Sequence, residues 1–330
     1  MATLAATHPT LQTLASRMEP DGKIAAIIEI LNETNEVLDD IVWVEANDTT
    51  GHTTTVRTGL PAPTWRKLNY GVQPTRSTTS KIKDAFGMME SYSEIDKSLA
   101  ELNGNTSEFR LSEDVPHMQG MNEAFADKMF YGNDVTAPEE FMGLGPRFND
   151  LSASNGAHIV DGGGTGADNA SIWMVVWGPN LVHGIYPKGS QAGLYHTDLG
   201  EVTLEDAAGG FFQGYRSHYK WDCGLSVRDW RAVVRIANID RSLLTADLST
   251  GANLAQLMFD AVDTVHGTNM GRPAFYMDRT IKSMLGKQSS DGVKNSTLTH
   301  ENVGGKQVST FQGIPIRRVD ALKTDEARIT

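Results

Sequence analysis

The sequence predicts an α+β subunit with large projecting parts, and three observations predict it. The front of the chain and the stretch after Lys81 carry helical periodicity. Between them, Ile41 to Ser80 reads as an extended arm with no core of its own. From Ala157 onward strands alternate with loops and a few helices.

Thr7 to Met18 has the spacing of a short amphipathic helix. Pro20 opens a second one, since proline is tolerated in a first turn, and Ile24, Ile27, Ile28, Leu31 and Leu38 share its apolar face. In the arm, Ile41 to Ala46 is a strand-like run, Asn47 to Gly51 is turn chemistry, and Thr53 to Thr58 is a second β-rich run. Gly59 to Gly71 is too rich in Pro and Gly for a helix or a central strand. A lone two-stranded ribbon is marginal in water. Its large side chains therefore need cover from elsewhere, and Trp43, Trp65, Arg66, Lys67 and Tyr70 are the expected contacts to a neighbouring subunit. The plainer reading is one exposed Trp on a surface loop. The absence of a local core favours the clamp.

Lys81 to Gly132 reads as largely helical, with a break at Asn103 to Asn105. Its strongest piece starts at Pro116 behind the capping residues Ser112 and Asp114, and Met118, Met121, Phe125 and Met129 form a core-facing stripe. Asn133 to Asn155 is loop. Ile172 to Trp177 is a strand covered on both faces. Phe211 to Trp221 alternates, and Asp222 to Gly224 is expected to turn it into a hairpin with Leu225 to Ile239. A helix from Asn253 to His266 stops at Gly267. A strand from Gly271 to Met277 leads into a short helix that Asp278 caps and that ends near Gly286. Ile314 to Val319 is the last strand, which Pro315 assigns to an edge or a first-residue position.

The chain has 330 residues, 39% of them hydrophobic, enough for a sizeable core. No run approaches the roughly 18 apolar residues of a membrane span, and the N-terminus lacks the features of a signal peptide. A single cysteine, Cys223, excludes an internal disulfide framework and fits a reducing cytoplasm. The net charge is −12 with no concentrated Lys/Arg patch, which disfavours direct nucleic-acid binding and suits a surface that faces packed DNA without adhering to it.

Residues with chemical potential are weighed in the same way. Asp161 to Gly166 resembles a phosphate-cradling loop, yet a β-rich run follows it instead of a helix, so a flexible surface turn is expected. His183, His196 and His218 lie near Asp198, Glu201 and Asp222 without metal-ligand spacing. Cys223 lacks an activating base pattern. Glu139-Glu140 and Glu205-Asp206 read as solvated loops. No catalytic, cofactor-binding or metal-ligating residue is assigned.

Two stretches near the C-terminus sharpen the picture. Phe275 to Ile281, followed by Leu285, passes from strand into helix with Asp278-Arg279 at the opening. Phe311-Gln312-Gly313-Ile314-Pro315-Ile316 runs on through Val319-Asp320-Ala321-Leu322 as a terminal strand. With the element order, these resemble the major capsid proteins of tailed bacteriophages. The resemblance implies the Hong Kong-type capsid fold. Residues 1–40 would be the N-terminal arm, 41–80 the extended loop, 81–135 the peripheral domain with its spine helix, and 136–330 mainly the axial domain with some strands returning to the peripheral one. It implies hexamers and pentamers of this chain in an icosahedral shell around double-stranded DNA, with a cement protein and a portal at one vertex as partners and a separate scaffold or none, the N-terminus being too short for a built-in scaffold. No acidic partner for a cross-linking lysine is found, and Lys67 alone does not support such a bond. Two rivals are an encapsulin-like compartment shell and a cytoplasmic hydrolase using the Gly162 loop or the three histidines.

Overall fold

The computed structural model describes residues 35–102, 106–206, 208–292, 298–303 and 306–330. The Thr7 to Met18 helix, the Pro20 helix up to Thr34 and the Asn103 to Asn105 break lie outside the described residues. The described strands begin with β1 (Trp43–Glu45), β2 (His52–Gly59), β3 (Thr78–Asp84) and β4 (Phe86–Asp96). Helices α1 (Lys97–Ala100) and α2 (Thr106–Tyr131) follow. Then come β5 (Ile159–Asp161), β6 (Asn169–Trp177), β7 (Val182–Tyr186), β8 (Tyr195–Glu205), β9 (Phe211–Val227) and β10 (Val233–Asp240). The chain closes with α3 (Leu254–Thr264), β11 (Arg272–Met277), α4 (Arg279–Gly292), β12 (Leu298–Val303), β13 (Lys306–Phe311) and β14 (Ile314–Arg318).

The chain forms two compact units. The larger holds residues 35–87, 127–192 and 223–330, and is built on β6. All nine residues of β6 are buried, because β10 and β11 pair with it antiparallel and its apolar run meets side chains on both faces. From β11 the sheet continues through β14, β13 and β12. From the end of β6 it passes to β7, on which β1 pairs in parallel, and β5 lies parallel to β10. α3 packs against β10 and α4. Its register follows its caps: Asn253 accepts from Gln256 N, and Leu254, Met258 and Ala261 face inward.

Among the described residues, the smaller unit comprises residues 88–126 and 193–222. It combines most of α2 and β4 with β8 and the first part of β9. Ile95, Leu99, Ala100 and Phe109 form one core cluster with Tyr215 against it, and Phe125 stacks on Trp221 at 4.8 Å.

Several expectations are corrected. Lys81 to Asp96 is strand, not helix: Phe86 to Asp96 alternates in burial along β4, and Lys81 and Lys83 belong to the returning half of a ribbon. α2 does not begin at Pro116 but runs through it. Phe109 and Phe125, each 1% exposed, anchor the helix on both sides of the proline, so tertiary packing overrides the local break. Met121 and Met129 are core as expected, but Met118 is 40% exposed. β9 runs straight through Asp222 to Gly224. Cys223 is thus a buried mid-strand thiol, and Gly224 is needed because Ala85 O would lie 2.8 Å from an added Cβ. The hairpin is instead β8 with β9, turned where Asp206 Oδ1 accepts from Ala208 N and Gly210 N, both at 2.8 Å. β14 is internal, between β13 and β11. Pro315 escapes conflict because it faces Thr310 of β13 while pairing with β11 starts at Ile316. The helix that Asp278 caps continues to Gly292 rather than ending at Gly286.

The Gly162 to Gly166 loop is fitted tightly and is not the free turn expected. Gly162 N bonds Ala237 O at 2.8 Å and Gly164 N bonds Asn238 O at 2.7 Å, so these amides are committed to β10. A Cβ on Gly164 would sit 2.5 Å from Asn238 O. Among the described residues, no group of His, Cys, Asp and Glu has the arrangement of a metal site, and no helix is long and apolar enough to cross a membrane.

Candidate inter-subunit arm

The projecting ribbon consists of β2 and β3 and the segment between them. Its start is set by short-range polar chemistry. Asn47 bonds Thr53 twice, its Nδ2 donating to the carbonyl at 2.7 Å and its Oδ1 accepting from the amide at 2.8 Å. Lys83 Nζ crosses from β3 to Asp48 Oδ2 at 2.8 Å and also reaches Thr50, which holds the Asp48 carboxyl below the ordinary range. β2 and β3 then pair from His52↔Asp84 outward to Gly59↔Thr78, with a bulge after Arg57.

The root is anchored by one buried carboxylate. Asp84 is 3% exposed. Arg147 Nη2 donates to its Oδ1 and Ser226 Oγ to its Oδ2, both at 2.8 Å. Arg147 is itself held by the carbonyls of Gly143 and Met142. An Asp at this position can stay buried because both oxygens are satisfied.

The tip contrasts with the root. Residues 60–77 form no regular structure apart from a turn in which Tyr70 N bonds Lys67 O. All of them are exposed, including Leu60, Trp65 at 99%, Leu68, Tyr70 and Val72. Monomeric surfaces tolerate single exposed apolar residues, and here five lie on one projection. Trp65, Arg66, Lys67 and Tyr70 all lie on this tip. Trp43 does not. It lies in β1 of the larger unit, half-buried and beside Gly184 of β7, where an added Cβ would come within 2.7 Å of its ring.

Val72 joins Leu60, Trp65 and Leu68 as an exposed apolar residue of the tip, and the ribbon ends at Asp84, past the expected Ser80. Read along the chain, the sequence shows no basic patch. Residues 52–84 hold six Lys/Arg against one Asp and carry +5, which leaves −17 on the rest of a chain whose net charge is −12. Hairpin pairing collects these charges on one projection.

The family model described as "Major capsid protein GP7" matches residues 19–330. The chain belongs to the GP7 major capsid protein family. A chain in the solved structure of bacteriophage Epsilon15 is 42% identical, with 100% of each chain covered and a TM-score of 0.78. The capsid of bacteriophage JBD30 is 10% identical, covering 89% of this chain and 93% of that one, with a TM-score of 0.48. The SrpI encapsulin of Synechococcus elongatus PCC 7942 is 10% identical over 69% and 97% of the two chains, with a TM-score of 0.43. No curated protein matches. Membership of the GP7 family makes this a capsid component of a tailed-phage virion with the phage capsid fold, and the encapsulin-like alternative gives way to it.

Proposed function

We propose that copies of this chain build an icosahedral shell of hexamers and pentamers around packaged double-stranded DNA, that each ribbon lies on an adjacent copy, and that the chain catalyses no reaction. The observation that carries this is the bare tip with Trp65 almost wholly exposed. Covering Trp65 removes roughly 200 Å² of apolar surface, up to about 5 kcal/mol before the cost of ordering the loop. The charge division supports the same reading, since a +5 ribbon is attracted to the acidic remainder of another copy. Closed symmetric assembly then multiplies a moderate contact.

In this reading the smaller unit is the peripheral domain and the larger one mainly the axial domain. The β8–β9 hairpin is the part of the 136–330 region that returns to the peripheral domain. Assembly takes place in the host cytoplasm. A cement protein, a portal at one vertex and a separate scaffold complete the partner set, and DNA is enclosed without sequence-specific contacts.

Electron microscopy of the purified full chain, alone and as Trp65→Ala, tests the proposal. Shells or capsomers are expected for the wild type. The variant should assemble poorly while far-UV circular dichroism stays unchanged. A monodisperse wild-type monomer at high concentration overturns the proposal, as does normal assembly of the variant.

A further inference from the structure

The ribbon root holds two histidines for which docking of the tip has no use. His52 opens β2 and is 8% exposed, and His183 in β7 is fully buried. Their rings meet edge to face, with centroids 5.3 Å apart and planes at 86°. Nδ1 of His52 and both ring nitrogens of His183 have no hydrogen-bond partner. Buried polar atoms are normally satisfied, so such a pair calls for an explanation. Metal binding does not supply one among the described residues.

Two other charged groups bear on the pair. Asp84 of β3 stands opposite His52 in the ribbon register, with its oxygens already engaged by Arg147 and Ser226. Arg228, just after β9, adds a positive charge and is tied to Asn180 Oδ1 at 3.0 Å.

We propose that the His52–His183 contact is an acid-sensitive latch, which seats the ribbon root on its own subunit while both rings are neutral and releases it when they take up protons. Two imidazolium rings at this separation repel each other next to Arg228, and the Gly178 backbone at His183 and the already engaged Asp84 offset this only in part. Among the described residues β2 and β3 pair only with each other, so contacts at the root hold the angle of the ribbon. Burial pushes both histidines below their ordinary value of 6.5, His183 to about 4. Arg228 pushes both the same way, as does His52 for His183. Asp84 opposes this for both rings, and the Gly178 backbone opposes it for His183. The folded state therefore favours the neutral rings. Their contribution to stability is present in full above about 6.5 and is lost as the pH falls from there toward about 4. The latch belongs to a single subunit and does not depend on what covers the tip.

Hydrogen exchange on dissociated full-length subunits tests it, at about pH 7.5 and about pH 5, corrected for intrinsic rates. Protection in His52–Gly59 and Thr78–Asp84 should fall about tenfold or more at the lower pH, while β6 and β10 keep theirs. His52→Asn and His183→Leu should each flatten this pH response. Unchanged ribbon protection in the wild type overturns the latch, as does a folded variant that loses protection as steeply as the wild type. If neither variant folds, the wild-type profile decides.

Discussion

Arg235 lies in β10, 5% exposed. Its Nη2 donates to Glu326 Oε2 at 2.8 Å and its Nη1 to Phe148 O at 2.7 Å, and its guanidinium lies 4.9 Å from the centre of the Trp173 ring. Tyr131 and Ser171 hold the same Glu326 carboxylate, and Asn238, which bonds both N and O of Ile329, fastens the C-terminal tail at a second point. Removing one member of a buried pair strands the other, and Arg235→Ala should cost about 3–5 kcal/mol in urea unfolding. A second knot joins Trp177 Nε1, which donates to Tyr276 Oη at 2.6 Å, to Asp40, which accepts from Tyr276 at 2.9 Å and from Arg317. Tyr276→Phe leaves a buried indole N–H without its acceptor. It should cost about 1–3 kcal/mol, read from the same denaturation curve. Gly184→Ala drives a methyl into Trp43 and Ile41. A loss of about 1–3 kcal/mol is expected, together with weakened exchange protection in β1.

Among the secondary elements, the ribbon and α2 show how local and distant forces divide. Asp84→Asn weakens the hold of Arg147 on the ribbon, and protection in β2 and β3 should fall by an amount equivalent to about 2–3 kcal/mol, with β6 unaffected. Pro116 removes a backbone donor inside a 26-residue helix. Pro116→Ala should therefore stabilise α2 by up to about 3 kcal/mol in thermal unfolding. Only the bare segment of the arm is legible in the sequence, through its Pro, Gly and Trp; the expected pairing of Ile41 to Ala46 with Thr53 to Thr58 is wrong, because β1 pairs with β7 and the ribbon is β2 with β3. The returning strand is not legible, since Lys81, Lys83 and Asp84 look like a charged helix face until β2 is beside them. Pro116 misleads for a related reason: Phe109 before it packs on Ile95, Leu99 and Ala100 and Phe125 after it stacks on Trp221, and this packing holds the helix through the proline. The β9 strand was divided at Asp222 to Gly224 because turn residues there are required by the close passage of Ala85, which no local pattern reveals. The two histidines of the root, one in a threonine run and one in an apolar strand, meet only through folding.

The assembled shell adds effects that no single subunit shows. With +5 on the ribbon and −17 elsewhere, assembly should weaken as ionic strength rises from about 0.1 to 1 M, since the screening length shrinks from about 10 to 3 Å. Light scattering across a salt series checks this, and an apolar-only contact would instead hold or strengthen. The central claim is that another copy covers the ribbon tip. Arg66, Lys67 and Arg76 offer trypsin exposed sites in a segment without regular structure. Mapping tryptic cuts at these three residues in dissociated subunits and in intact shells tests the claim most directly. Rapid cleavage of the subunits and strong protection in the shell are predicted, and equal cleavage in both states would contradict the account.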